Sequence, residues 1–356
     1  MSLPLLICDD SNMARKQVAR SLPDGWDVEI SFATDGFEAL DAIKAGKGDV
    51  LLLDLNMPNM DGYEVLEEIL KQDLPTLTIV ISGDIQPEAH ARVKSLGAID
   101  FIQKPINKNK LTELLLAYGV FTEEDQANTV TTTSVPVASE KPIVNKANTA
   151  DTSKFEPYVL TADMRDSYQE IANVAMGRAG DLLARLLDVF VMLPIPNVNF
   201  IDIGELNMAL SAVENNETTS GICQGFIGAG ISGEALLILN DSGFQDIAAL
   251  MNYKEDVDEG TELELLMDLS NVLIGACLNG VSEQLDMSFS QGHPVVLGQH
   301  QKISDLIATN ANKWKKTLAI EISYHIENYD IKCDLLLLFT EASMKTLNNK
   351  VSYLLD

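Results

Sequence analysis

Carboxylates, a hydroxyl and a lysine follow short apolar runs in the N-terminal third of the sequence. Asp9 and Asp10 follow LPLLIC, and Asp54 follows VLLL. Clustered carboxylate oxygens are the ligands that Mg²⁺ prefers. Two later apolar runs end at Ser82 and just before Lys104, which offer a hydroxyl and a cation to a phosphoryl group on Asp54. These residue types together predict a phosphoryl-transfer site that uses Mg²⁺.

The elements around these residues alternate in type. From Leu3 to about Phe121, five β-rich apolar runs are each followed by an amphipathic helical stretch. Five βα units in a row predict an α/β fold, a doubly wound five-stranded parallel sheet flanked by helices. In such a sheet, ligands bind at the edge where the strands end. The order of the runs therefore places the carboxylates, the hydroxyl and the lysine side by side.

The motifs at these strand ends resemble those of response-regulator receiver domains, which have a flavodoxin-like fold. The matching segments are CDDS, LLLDLNMPNMDG, ISGD and FIQKP, and the resemblance covers about a third of the chain. It implies that Asp54 accepts phosphate from a histidine kinase. It also implies a Mg²⁺ site, for which the candidate residues are Asp9, Asp10, Asp54 and Asn56.

The same resemblance gives roles to residues around the phosphate. Ser82 and Lys104 would bind the acyl phosphate, and Phe101 would be the aromatic residue whose rotation accompanies the movement of Ser82. Asn56 and Asp84 look like the family positions that tune the lifetime of the phosphate. Each of these side chains is expected at the sheet edge that carries Asp54.

The composition changes after the fifth βα unit. Residues 122–154 are rich in Thr, Ser, Asn, Ala and Pro and show no lasting apolar period. Such a segment predicts a flexible linker. The expected organisation is a receiver domain at 1–121, the linker at 122–154 and a second domain at 155–356.

Two long helical stretches of the second domain repeat one polar pattern, with a constant offset of 98 residues. Each copy has two acidic residues, an asparagine and a glycine at helical spacing: Asp166, Glu170, Asn173 and Gly177, then Glu264, Asp268, Asn271 and Gly275. This duplication predicts a single α/β domain with pseudo-twofold symmetry and a shared antiparallel sheet.

The four residues of each copy form one stripe on a helix, within about 60 degrees of one another at about 100 degrees per residue. Glu170 and Asn173 are therefore expected to project to solvent. The opposite face is apolar, with Ile171, Val174, Ala175, Leu182 and Leu186. An amide can orient a water while a carboxylate pairs with a partner's lysine, which suits hydrolysis of an aspartyl phosphate. The alternative is an ordinary solvated helix face.

The first stripe, with the segments ANVAMGRAGDLL and LPIPNV, resembles the CheC-type chemotaxis phosphatases, the family of CheC, CheX and FliY. The resemblance implies that Asn173 orients the attacking water and that Glu170 binds the lysine of a phosphorylated receiver. In the second copy Asp268 stands where the family has glutamate. The second site, with Asp268 and Asn271 as its candidate catalytic residues, is therefore expected to be weak or vestigial, since the acid is one methylene shorter.

Three functions fit these patterns. The first is a phosphatase that acts on a separate CheY-like response regulator and is regulated by phosphorylation of its own Asp54. The second is a docking module for chemotaxis or motor proteins that carries out no hydrolysis. The third is a phosphatase that acts in cis on phospho-Asp54.

Net charge and hydropathy exclude some classes of binding partner. The 356 residues include 25 Lys and Arg against 53 Asp and Glu, a net charge of -28, which repels nucleic acids and anionic membranes. The first residues lack a signal-peptide pattern, and no uninterrupted apolar run reaches the roughly 18 residues of a membrane span. We expect a cytoplasmic protein with no nucleic acid or membrane partner.

A GxGxxG pattern lies at Gly228–Gly233. It stands between β-like stretches and opens no helix, so it predicts a hairpin turn and not a dinucleotide-binding loop.

Overall fold

The computed structural model describes residues 2–122, 160–202, 218–253, 257–302 and 316–355. We call residues 2–122 the N-terminal part and residues 160–355 the C-terminal part. Nearly all of the predicted linker, and the first residues of the predicted second domain, lie outside the described residues. The domain boundaries given above therefore stay predictions.

The N-terminal part is a parallel sheet flanked by helices, with strand order β2-β1-β3-β4-β5. Its strands are β1 Leu3–Cys8, β2 Val28–Ala33, β3 Val50–Leu53, β4 Leu77–Ser82 and β5 Asp100–Gln103. Its helices are α1 Asn12–Arg20, α2 Gly36–Lys44, α3 Gly62–Gln72, α4 Pro87–Ser95 and α5 Lys108–Ala117. The predicted five-stranded parallel sheet is confirmed.

Burial explains the composition of these strands. The four residues of β3 are all apolar and all buried, as expected for a strand covered by helices on both faces. Short polar caps then start the helices close to the strand ends. Ser11 accepts a hydrogen bond from the backbone N–H of Ala14, and Asp61 forms a capping box with Glu64. The loops that carry the candidate residues are therefore short and fixed at both ends.

The C-terminal part is an eight-stranded antiparallel sheet with helices. Its strands are β6 Val191–Met192, β7 Asn197–Asp202, β8 Thr219–Gly228, β9 Ile231–Asn240, β10 Ser290–Gln291, β11 Val295–Gln301, β12 Lys316–Ile326 and β13 Lys332–Thr340. Its helices are α6 Ala162–Leu187, α7 Phe244–Leu250, α8 Glu259–Gln284 and α9 Met344–Leu355. The main path is β10-β8-β9-β13-β12-β6, with β11 on β8 and β7 on β12.

The order of elements from α6 to α7 recurs from α8 to α9. Each unit has a long helix, two short strands, a hairpin and a final helix preceded by a 3₁₀ turn. The short strands β6 and β7 pair with β12 of the other unit, and β10 and β11 pair with β8. The central pair is β9 with β13. This order follows the repeat in the sequence.

The two long helices pack against each other above the sheet. A methyl group at Gly280 of α8 would lie 2.7 Å from the Cα atom of Ala175 of α6, so glycine permits the close crossing. By length and composition α8 could cross a membrane, but 61% of its most apolar 18-residue window is buried inside the protein. A core helix of a soluble protein meets the same criterion, so α8 is weak evidence for a span.

The turn between β8 and β9 consists of Ala229 and Gly230, with φ angles of 47° and 80°. Positive φ at both central residues is the geometry of a tight two-residue hairpin. The prediction of a hairpin at the GxGxxG pattern is confirmed.

Candidate functional site

Three carboxylates meet where β1 and β3 end. Oxygens of Asp9, Asp10 and Asp54 lie within 4.8 Å of one another, and Asp9 and Asp54 are buried. Burial and the negative charge of Asp9 raise the pKa of Asp10 to about 6. A divalent cation would relieve this crowding of negative charge, and an all-oxygen donor set fits Mg²⁺. The cluster therefore fits the predicted Mg²⁺ site.

Lys104 reaches into this cluster from the end of β5. Its Nζ atom lies 2.8 Å from Asp9 Oδ2 and 3.2 Å from Asp54 Oδ1. Burial alone would lower the pKa of the ammonium group, but the carboxylates of Asp54, Asp9 and Glu170 raise it well above its usual value. Lys104 is therefore a fixed positive charge beside the predicted phosphorylation site.

Ser82 and Phe101 lie on the neighbouring strands. Ser82 is fully buried at the end of β4, and its hydroxyl accepts a hydrogen bond from the backbone N–H of Asp84 at 3.2 Å. Phe101 is also buried, with its ring centroid 3.9 Å from that of His90. The structure places these residues on the predicted sheet edge, and their switching roles stay predictions.

The stripe of α6 lies directly on this edge. Glu170 Oε1 is 3.1 Å from Lys104 Nζ, and Glu170 and Asn173 are only 4% and 6% exposed. Burial raises the pKa of the Glu170 carboxyl, and the ion pair with Lys104 opposes that rise. The prediction that Glu170 and Asn173 face solvent is wrong, because the N-terminal part of the same chain covers them. Leu182, expected on the buried face, is 46% exposed.

Asn56 connects Asp54 to Asn173. Its side-chain Nδ2 donates to Asn173 Oδ1 at 3.2 Å, and its backbone N–H donates to Asp54 Oδ2 at 3.1 Å. The Asn173 amide is thereby held next to the carboxylate that is predicted to carry the phosphate. In this structure the Asn56 side chain faces α6, while its predicted part in the Mg²⁺ site stays a prediction.

Gly177 lets two backbones meet. A methyl group at this position would collide with the carbonyl of Gly83, in the loop between β4 and α4. A methyl group at Gly83 would lie 3.1 Å from the carbonyl oxygen of Asn173. Gly177 therefore needs to be glycine for this approach, and a side chain at Gly83 would be tightly packed.

Asp166 binds the start of α1. Its two carboxylate oxygens accept hydrogen bonds from the backbone N–H groups of Asn12 at 3.1 Å and Met13 at 2.8 Å. These N–H groups have no partner within α1, and the helix dipole favours a negative charge there. The repeat in the sequence places Asp166 in the stripe but does not predict a partner for it.

Gln86 of the N-terminal part contacts the C-terminal part, and the sequence did not predict this. It is fully buried and precedes α4, where its side-chain Nε2 donates to the carbonyl of Val191 at 2.8 Å. Its Oε1 accepts from the backbone N–H of Val191 at 2.9 Å. No motif or periodicity marks this residue, so the sequence carried no signal for it.

The stripe of α8 has a different environment. Asp268 and Asn271 are exposed, and a methyl group at Gly275 would have no neighbour within 4 Å among the atoms that the structure describes. The predicted second site is therefore open, and the structure does not bring it near Asp54.

A small cavity lies between the two parts, and its volume is about 10 Å³. Its lining includes Asp10, Asn56, Glu170 and Asn173. This volume is about the least that holds one water molecule, and the lining offers several polar partners.

Residues 5–116 match the family described as the response regulator receiver domain. The N-terminal part is therefore a receiver domain of the kind found in two-component signalling and chemotaxis proteins.

Two relatives are similar to about 30% of this chain. The chain is 39% identical over 102 residues to the protein-glutamate methylesterase/protein-glutamine glutaminase 3 of Geobacter sulfurreducens, covering 28% of this chain and 27% of that protein. It is 37% identical over 116 residues to the response regulator MprA of Mycobacterium bovis, covering 31% and 48%. The chain thus spans between about a quarter and a half of the length of these relatives.

A solved structure, FliY of Thermotoga maritima, is similar with a TM-score of 0.41 at 18% identity. The match covers 55% of this chain and 99% of that chain.

Proposed function

We propose that the C-terminal part is a CheC-type phosphatase domain that hydrolyses the aspartyl phosphate on Asp54 of its own receiver domain. The observation that carries the proposal is the ion pair at 3.1 Å between Glu170 of α6 and Lys104 of the phosphorylation site. Of the three functions considered from the sequence, this contact favours hydrolysis in cis. A histidine kinase would supply the phosphate, and the cytoplasm would be the site of action.

The chemistry needs a water in line with the phosphorus–oxygen bond to Asp54. The cavity beside Asn173 has room for about one water molecule. The Asn173 amide can orient this water, since an amide both donates and accepts hydrogen bonds. As the water oxygen bonds to phosphorus, the bond to the Asp54 oxygen breaks, and the products are inorganic phosphate and the free carboxylate. Both protons of the water leave with the phosphate, as dihydrogen phosphate.

Charge on the phosphoryl oxygens is balanced by groups already in place. Lys104 supplies a buried ammonium group at the site. Glu170 pairs with this ammonium group from α6, which fixes the position of Lys104 relative to Asn173 on the same helix as Glu170. Asp9, Asp10 and Asp54 would hold Mg²⁺, which when bound neutralises further negative charge on the phosphate.

The open stripe on α8 favours a second activity. Asp268 and Asn271 are exposed and could meet a separate phosphorylated CheY-like receiver. This trans activity would be weaker because the Asp268 carboxylate reaches one methylene less far than that of Glu170.

The test is the decay of radiolabelled phosphate on the full-length protein, measured over a range of protein concentrations. We expect first-order decay whose rate does not depend on concentration. Asn173→Ala should slow the decay by about 100-fold, since a misplaced water loses the positioned attack. Asn271→Ala is the matched control, because it removes the same amide from the open stripe, and it should leave this rate unchanged.

Other outcomes would contradict the proposal in separate ways. Equal decay in the wild type and Asn173→Ala would rule out hydrolysis at this site and leave a docking module. A rate that rises with protein concentration, and that Asn271→Ala lowers, would move the activity to the α8 stripe.

A further inference from the structure

The contacts between the receiver domain and the C-terminal part differ in what they recognise. Asp166 binds backbone N–H groups, which any helix start offers. Glu170 binds Lys104, which the phosphoryl chemistry itself requires. Gly177 touches the backbone of Gly83. None of these three contacts depends on a receiver side chain outside the phosphorylation site.

Gln86 is different, because it takes no part in phosphoryl chemistry. Its amide donates to and accepts from one residue, Val191, at 2.8 Å and 2.9 Å. It is 0% exposed, and its side chain makes no cap hydrogen bond to α4. Its side-chain Nε2 also donates a hydrogen bond to Asp84 Oδ1 at 3.1 Å within the receiver. The Gln86 side chain is thus aimed across the interface.

Val191 explains why this pair can select. Val191 belongs to β6, the strand at one end of the main path of the C-terminal sheet. Its N–H and C=O both point to Gln86, so the side-chain amide acts like one more residue of a paired strand. When the receiver domain and the C-terminal part are apart, these two groups of Val191 can bind water. In a docked complex without Gln86 they would be buried without partners.

We propose that Gln86 is the specificity residue by which the C-terminal part accepts its own receiver domain. The proposal rests on the proposed function in one respect, since selection matters for hydrolysis only if hydrolysis occurs. A receiver with an apolar side chain at position 86 keeps every group needed for phosphorylation. It would leave the backbone N–H and C=O groups of Val191 without hydrogen-bond partners. Sites built to pair polar groups reject partners that leave them unpaired.

The test uses Gln86→Met in the full-length chain. Methionine has nearly the volume and length of glutamine but lacks its amide, so packing is retained while both hydrogen bonds are lost. We expect docking to weaken about 10- to 100-fold. The matched control is Gln72→Met, which makes the same exchange at an exposed position at the end of α3.

Docking is read from hydrogen exchange at the backbone amides of Asn12 and Met13. These amides donate to Asp166 across the interface and belong to a different element from Gln86. A purely local effect of the substitution on α4 would leave them unchanged. We expect their exchange to rise about 10- to 100-fold in Gln86→Met and to stay at the wild-type rate in Gln72→Met.

Phosphate decay separates selection from chemistry. Gln86→Met should slow decay, and Gln86→Met combined with Asn173→Ala should decay at the rate of Asn173→Ala alone. Unchanged exchange at Asn12 and Met13 in Gln86→Met would overturn the inference. If Asn173→Ala proved to leave decay unchanged, the proposed hydrolysis would fail, while faster exchange at these amides would still establish Gln86 as the docking determinant.

Discussion

The two long helices carry the same polar pattern, yet one is covered and the other is open. On α6, Glu170 and Asn173 are buried against the receiver domain, and Gly177 meets the Gly83 backbone. On α8, Asp268 and Asn271 are exposed. A shared pattern therefore defines a surface that can receive a partner, but it does not decide whether a partner is there.

The two stripes also differ in the lengths of their acidic side chains. The α6 contact uses a short acid against the start of α1 and a long acid against Lys104, namely Asp166 and Glu170. The α8 stripe reverses this order with Glu264 and Asp268. If a receiver were placed on α8 in the same way, Glu264 would crowd the start of the receiver's first helix, because it is longer than Asp166. Asp268 would reach less far toward the receiver's lysine, because it is shorter than Glu170.

The largest effect is expected for alanine at the two stripe glycines. Gly177→Ala places a methyl group against the Gly83 carbonyl, so docking should be lost and cis decay should slow by about 100-fold. Gly275→Ala has open space, so decay should not change and the helix should gain up to about 1 kcal/mol. Phosphate decay and thermal unfolding of both variants measure these changes. Equal decay rates in the two variants would contradict the α6 contact.

A smaller effect is expected when the acid lengths are exchanged. Glu170→Asp withdraws the carboxylate from Lys104 Nζ, now 3.1 Å away, and should slow cis decay by about tenfold, equivalent to about 1.4 kcal/mol. Asp268→Glu is the reverse change on α8. It should leave cis decay alone and speed the dephosphorylation of an added CheY-like receiver. A slower cis reaction in Asp268→Glu would show that α8 contributes to it.

Asp166→Asn should act more weakly. The amide keeps an oxygen that can accept one hydrogen bond from α1 but loses the charge that the helix start favours, a loss of about 0.3–1 kcal/mol. Amide exchange at Asn12 and Met13 should rise about two- to fivefold. Glu264→Gln, the matched change on α8, should not alter exchange at these amides. An equal rise in both variants would mean that net charge, and not this contact, sets docking.

The smallest effect is a pH dependence limited to the α8 copy. His300 lies 3.0 Å from Asp241 and 2.9 Å from Glu262, and position 164 of the first copy, which matches Glu262, is a methionine. Burial lowers the pKa of His300, but the hydrogen bond and charge of Asp241, with the charge of Glu262, outweigh this and raise it. The stabilisation is therefore present below the unfolded pKa of about 6.5 and is lost as pH rises through the folded pKa.

His300 should therefore make the wild type unfold more readily at pH 8 than at pH 6, by a few tenths of a kcal/mol because the imidazole is partly exposed. Urea unfolding at the two pH values measures the difference. His300→Gln should make this pH difference smaller by that amount, while the raised pKa values of Asp10 and Glu170 leave a remainder of the same sign. An unchanged pH difference in His300→Gln would show that His300 does not contribute.

The sequence predicted the receiver part well because local rules decide it. Five βα units bring strand ends to one edge, so Asp9, Asp54 and Lys104 had to meet there. The repeat in the sequence likewise marks the polar stripes of α6 and α8. In each case the pattern and the structure follow from the same short-range periodicity.

Whether the α6 stripe contacts solvent or another part of the chain could not be predicted in the same way. A polar side chain that meets water and one that meets a polar partner look alike in a helical pattern. The partner of Glu170 is Lys104, 66 positions earlier and beyond the segment predicted as a linker. Gln86 is harder still, because its partner is a backbone and leaves no mark on side-chain sequence.

The burial of Asp54 has a consequence for timing. With 1% of its surface exposed beneath α6, the carboxylate would meet a phosphodonor domain only after α6 moves off the receiver domain, and the proposed hydrolysis would need α6 back in contact. Each molecule would then keep its phosphate for as long as α6 stays off the receiver domain. The lifetime of the signal would be set by this opening within one molecule, and would not depend on how many copies the cell contains.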